Sequence, residues 1–236
     1  MKRIISSILL VSLLALIVGC DNEDVIPVVK GDAFIIAKVD GQDTVFGLAL
    51  HAMGNVALSS VAAVDDDGNT FQLKSYGGYL YEFYFDSENA DYSLELPVVG
   101  RYEFTAVTAK GETRVVQDEL TDDIIYPADL TTCEFDAANS QISLVWEKMD
   151  DADYIVLILK DDEGETVYIS AALVGSSVGY NIKATTATWA NGRTPQDGST
   201  YTAEVHAFMY ESNGEAMNVQ AKSIASGTVV WGEGGN

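Results

Sequence analysis

The sequence predicts an all-β protein, two β-sandwiches in tandem behind a removable leader, and three observations carry that prediction. Beyond residue 20, apolar and polar residues alternate with a period of two, as half-buried strands require, while a helical period is hard to find. The alternating runs are short and are divided by Gly- and Asp-rich turns, the punctuation of sandwiches and barrels. A polar, acidic stretch from Asp118 to Pro127 then splits the chain into two parts. Each part has about 100 residues, enough for a core of its own.

The leader comes first. Met1-Lys2-Arg3 supplies positive charge, and an apolar run follows from Ile8 to Val18, interrupted only by Ser12. That run is shorter than the roughly 20 residues needed to span a bilayer, so it reads as a secretory signal. It ends in Leu16-Ile17-Val18-Gly19-Cys20, which resembles the lipobox of bacterial lipoproteins. The resemblance implies cleavage before Cys20, a diacylglycerol on its thiol and an acylated new amine, so that the membrane is a partner through an acyl anchor. One acyl chain binds only marginally; two or more, at ~0.8 kcal/mol per buried CH₂, hold the chain stably. The acidic cluster Asp21-Asn22-Glu23-Asp24 looks like the signal that sends some Gram-negative lipoproteins to the outer face of the outer membrane, and it also serves as a solvated tether.

The first sandwich is expected over residues 33–122, behind a signal peptide at 1–19 and the lipidated cysteine and tether at 20–32. Ile35, Ala37 and Val39 alternate with Phe34, Ile36 and Lys38, and Asp40-Gly41 supplies a turn before Val45 to Leu50, a hairpin signature. Val56 to Val64 enters the turn Asp65-Asp66-Asp67-Gly68-Asn69, which leads into the alternating Thr70-Phe71-Gln72-Leu73-Lys74. Gly77-Gly78 separates that strand from Tyr79 to Phe85. Further on, Tyr102, Phe104 and Ala106 share one face of a late strand. Its opening Gly100-Arg101-Tyr102 resembles the tyrosine corner of immunoglobulin-like sandwiches, which implies a hydroxyl bonded back to the preceding turn.

The second sandwich, residues 123–236 with its link, resembles a fibronectin type III domain between Pro127 and about Trp231. Pro127-Ala128-Asp129-Leu130 is similar to that family's first strand, and Ile142-Ser143-Leu144-Val145-Trp146 to its second, with Ile142, Leu144 and Trp146 inward. Asp151-Ala152-Asp153-Tyr154-Ile155-Val156 resembles the third, in which Tyr154 and Val156 would pack beside the tryptophan. Pro195 to Ala207 resembles the segment leading into the sixth, with Tyr201, Ala203, Val205 and Ala207 lining the core. The fold class is therefore two tandem immunoglobulin-like, fibronectin type III-like β-sandwiches after a cleaved lipoprotein signal peptide. Between Ile169 and Trp189 the composition gives no clear strand.

Charge and motifs bound the function. Without residues 1–19 the chain keeps 13 − 2 = 11 basic residues against 36 acidic ones, a net charge of −25, which repels nucleic acid and an anionic membrane surface alike. With Cys20 lipidated, Cys133 has no disulfide partner and reads as a small core hydrophobe. His51 and His206 lie in strand-like segments, His206 on the solvated phase. There is no His-Glu-x-x-His helix, Gly-x-Ser-x-Gly elbow or phosphate loop, so no catalytic residue, metal site or cofactor is expected, and neither is enzyme activity. The acidic clusters at Asp65–Asn69, Asp150–Asp153 and Asp161–Glu165 read as turn chemistry rather than calcium loops. Among the aromatics, Tyr79, Tyr81, Phe83 and Phe85 are expected to face inward. Tyr84 and Trp189 are the candidate ligand-binding rings, flat surfaces on which a sugar can stack. The expected function is a surface-exposed, non-enzymatic lipoprotein of the outer membrane, an adhesion or interaction module whose partners are glycans or envelope proteins. The alternative is a glycan-binding accessory lipoprotein, resembling those of starch-utilisation systems; a small glycosidase or other hydrolase is a third.

Overall fold

The computed structural model describes residues 25–185, 189–212 and 218–233. The first half builds seven strands: β1 (Val29–Asp40), β2 (Asp43–Gly54), β3 (Leu58–Val64), β4 (Thr70–Tyr76), β5 (Tyr79–Asp86), β6 (Gly100–Thr108) and β7 (Thr113–Leu120). They pair in the order β1-β2-β5-β4-β3-β6-β7, β4 bridging the sheet that begins with β1 and the sheet that ends with β7. Leu58, Val61, Tyr102, Phe104 and Leu120 are buried between these layers. The tyrosine corner forms as its sequence implied: the Tyr102 hydroxyl donates to the Val98 carbonyl at 2.7 Å.

The second half adds β8 (Leu130–Asp136), β9 (Gln141–Trp146), β10 (Tyr154–Lys160), β11 (Thr166–Ile169), β12 (Leu173–Val174), β13 (Gly179–Lys183), β14 (Thr200–Tyr210) and β15 (Val219–Val230). A three-stranded sheet, β13-β9-β8, faces the sheet β11-β10-β14-β15, with β12 on the edge of β10. Ile142, Leu144 and Trp146 point into the core against Tyr201, Ala203, Val205 and Ala207. The phase of β10 differs from the expectation by one residue: Ile155, Leu157 and Leu159 are the buried set. Tyr154 lies on the outer face, stacked on Phe208 with ring centroids 4.4 Å apart. The Ala-, Ser- and Gly-rich stretch after Ile169 is occupied by β12 and β13. Where β8 crosses β15 the layers meet at Gly227; a Cβ there would lie 2.9 Å from the Cys133 sulfur. Burial pushes the Cys133 thiol up to about 11, so it stays a neutral, packed group.

The two halves share a sheet. β15 pairs in parallel with β1, Ile35 to Lys38 against Ala221 to Ile224, so hydrogen bonding runs unbroken from β11 to β7. This explains a departure from simple alternation. Every residue from Val45 to Leu50 is buried, as are Ala33 and Ile35 to Ala37, because β1 and β2 lie mid-sheet and are covered on both faces. The cover on the outer face is the loop after β5: Phe46 and Ser93 exchange backbone hydrogen bonds, the Tyr92 ring lies against Gly47, and Lys38 sits 3.4 Å above the centroid of that ring. Asp118 and Glu119, which the sequence suggested belong to the link, lie in β7. Asp118 is used at the junction, accepting the Ala33 N–H at 2.7 Å just before β1 turns to pair with β15.

Candidate functional site

Three places concentrate polar chemistry or exposed rings, and strand direction fixes where each lies. β15 runs parallel to β1 and continues past its end, so the start of β14 and the end of β10 form a pole opposite Val29. The axial offset between the two poles is on the order of 50 Å at ~3.3 Å per strand residue.

At the far pole Asp161, Asp162, Glu163, Trp189, Arg193, Thr194, Gln196, Ser199, Thr200 and Tyr201 line a cleft of about 500 Å³. Arg193 reaches Asp161 at 2.9 Å, and the other Asp161 oxygen accepts the N–H groups of Glu163 and Glu165, the turn bonding expected of that segment. The Asp65 carboxylate is held likewise, by the N–H groups of Asp67 and Asn69 and the Asn69 amide. Asp150 pairs with Lys148. Trp189 is not the open platform anticipated from its Gly- and Asn-rich surroundings. It is 7% exposed, packed edge-on against Tyr168, Tyr201 and Trp231, and its indole N–H donates to the Lys183 carbonyl. Only its margin reaches the cleft wall.

At the near pole the β4–β5 hairpin turns through Gly77-Gly78, both at positive φ (56° and 82°), the geometry a two-residue turn of this hand requires. Tyr79 and Tyr81 do not face the core as expected. The pairs Ser75–Phe83 and Tyr76–Tyr79 are adjacent on β4, which leaves residues 80–82 of β5 as a bulge without partners on β4 and carries the tip away from the interior. Tyr76 is 66% exposed, Tyr79 55% and Leu80 45%. Tyr84 is half-buried, with the Tyr76 ring 5.6 Å away and His51 opposite it on β2.

At the junction, Asp32 of β1, Asp118 of β7 and Glu211, just past β14, bring carboxylate oxygens within 4.8 Å of one another. Beside them lies a cleft of about 390 Å³ whose lining includes Glu119, Tyr210, Glu211 and Gln220. The Asp32 Oδ2 accepts the Val219 N–H at 3.3 Å, whereas its Oδ1 is buried with no hydrogen-bond partner. Burial, and then the charges of Asp118 and Glu211, push its carboxyl up to about 7. Burial and the two neighbouring carboxylates thus favour the protonated form of Asp32; oxygens of this kind also suit a hard cation such as calcium. No sequence motif announces this cluster, because 32, 118 and 211 are remote until β1 pairs with β15.

His206 is likewise not solvated: it is buried on the outer face of β14. Burial holds its ring pKa below the usual value, so the neutral ring donates through Nε2 to Glu204 at 2.7 Å. Burial alone would raise the Glu204 pKa; bonds from His206 and from Lys160, also at 2.7 Å, outweigh it and hold the carboxyl at about 2. Cys20 lies outside the described residues. Among those residues no helix is long and apolar enough to cross a membrane.

No protein-family model matches the chain, and no curated protein matches it. Solved structures resemble it at low similarity. A two-domain fibronectin type III segment of chicken tenascin aligns over 85% of this chain and 99% of its own, at 10% identity and a TM-score of 0.31. A bacterial ice-binding adhesin aligns over 86% of this chain and 64% of its own (12%, 0.27). A tandem repeat from the extending region of a large adhesion protein aligns over 85% of this chain and 50% of its own (19%, 0.26). The fold assignment rests on the strand order itself, which in each half is that of an immunoglobulin-like or fibronectin type III-like sandwich, with seven strands in the first half and seven plus the short edge strand β12 in the second.

Proposed function

We propose that the chain is a lipid-anchored, non-enzymatic interaction module, held at the outer face of the outer membrane by Cys20 and presenting the far-pole cleft to a partner. The observation that carries this reading is polarity. Residues 26–28, which lead into β1, are fastened at one pole by Asn55 and Arg114, while the cleft around Arg193 and Asp161 opens at the other, across a sheet that makes the two sandwiches one body. An anchor at one end and an accessible concave surface at the other is the layout of a display protein. The partner is a neighbouring envelope protein or an external ligand. The exposed Asp162 suits a cysteine probe. In a Cys133→Ala background, Asp162→Cys on intact cells should react with a membrane-impermeant maleimide. Labelling only after lysis would reject surface display.

A second reading, glycan binding, is favoured by the cleft's lining of hydroxyls, an amide, carboxylates, an arginine and an aromatic margin. A glycan array tests it: a hit abolished by Arg193→Ala and kept by Tyr84→Ala places the sugar in the cleft. The converse pattern places it on the hairpin ring.

A further inference from the structure

We propose that the Val29 end of the first sandwich is a membrane-contact face, with the β4–β5 tip (Tyr76, Tyr79, Leu80, Tyr81) seated among the lipid headgroups beside the anchor. This rests on the reading that Cys20 is lipidated.

Register places the tip there. β1 and β2 pair from Val29–Gly54 to Asp40–Asp43, and β2 and β5 end their pairing at Met53–Glu82. Residues 76–81 therefore lie at the same end of the sheet as the first residue of β1. The other loops of that end agree, since Ala109 donates to the Ala57 carbonyl and Asn55 to that of Val28.

The incoming chain is fixed to this end. Asn55 donates its amide to the Ile26 carbonyl at 3.0 Å and accepts the Val28 N–H at 2.8 Å, while Arg114 donates to the Pro27 carbonyl at 3.1 Å. Only residues 21–24 separate Cys20 from Val25. The five Cα-to-Cα steps from Cys20 to Val25 reach at most ~18 Å fully extended, so an acylated Cys20 keeps this face within about that distance of the bilayer. The chain fastened across the pole holds the face toward it.

The surface chemistry suits that location. Exposed apolar groups gather here: Ile26 is 77% exposed, and Val28, Met53, Leu80 and the tip tyrosines join it. Tyrosine, with an apolar ring and a polar hydroxyl, partitions to the membrane interface. The Tyr79 and Tyr81 rings lie 5.3 Å apart on the bulge, so the tip presents a preformed aromatic edge. Lys30, Lys110 and Arg114 against Glu82 and Glu112 give this face 3 − 2 = +1, on a mature chain of −25. It is the part least repelled by headgroups. The acidic residues of the tether prevent net electrostatic attraction, so the contact is interfacial and insensitive to salt.

The test uses the mature lipidated protein in phosphatidylethanolamine and phosphatidylglycerol vesicles, in a Cys133→Ala background, with an environment-sensitive fluorophore at Leu80→Cys or, as control, at Asp162→Cys. Mass spectrometry of the same sample reports the state of Cys20. The probe at residue 80 is expected to shift to the blue and to be quenched several-fold more by headgroup-level spin-labelled lipid than the probe at 162, unchanged by 0.5 M salt. Equal, water-like emission at both sites with Cys20 acylated overturns the proposal and leaves the anchor standing. An unmodified Cys20 overturns both. A water-exposed tip that instead loses a glycan-array hit on Tyr79→Ser makes the hairpin a sugar platform, and the membrane face is then wrong.

Discussion

At the scale of single residues, Asp32 shows what the sequence conceals. It falls in the stretch that reads as tether, yet it is a strand residue whose Oδ1 is buried beside two other carboxylates. Its carboxyl, raised from 3.8 to about 7, binds more protons folded than unfolded between those values. Its share of stability is therefore present at low pH and lost as pH rises through about 7. Asp32→Asn is expected to exceed the parent at pH 8 by on the order of 3 kcal/mol, the difference shrinking toward pH 4. Chemical denaturation at several pH values checks this, and a pH-independent difference would refute it. His206 fails for a related reason: strand phase assigns it outward correctly, but only the fold reveals that the outward face is covered.

At the scale of elements, alternation located the strands well, and the short Gly- and Asp-rich turns separated them. Ile142, Leu144 and Trp146, and the corner at Tyr102, were legible because each depends on a few neighbouring residues. The phase of β10 and the outward turn of the hairpin tip were not, since a bulge and a cross-strand stack reverse faces that alternation alone would assign. Gly227 gives this level a direct test. Its missing side chain lets β8 lie on β15, and an added Cβ would sit 2.8 Å from Leu130 Cδ2 as well as against the Cys133 sulfur. Gly227→Ala is expected to cost about 1–3 kcal/mol by overpacking, measurable as a lowered denaturation midpoint. A neutral result would mean that β8 shifts freely.

For the whole molecule, the sequence supplied the parts and missed how they join. Two sandwiches were expected on a polar link; instead β1 leaves the neighbourhood of β7, where Asp118 caps Ala33, and pairs with β15, so one sheet spans both cores. No pattern within Ile35–Lys38 or Ala221–Ile224 specifies that partner, because parallel pairing across 186 positions (221 − 35) is written only in the assembled shape. A shared sheet implies shared stability: unfolding should proceed as one transition, with fluorescence and circular dichroism coincident, and two separated midpoints would show independent domains. The polar arrangement, anchor at one end and cleft at the other, has functional meaning only if the first residue of the mature chain holds lipid. Intact-mass spectrometry of the protein extracted from membranes tests that most directly. A chain beginning at Cys20 and heavier by a diacylglycerol and an acyl group is the expected result; a free thiol at Cys20, or a chain retaining residues 1–19, would contradict it.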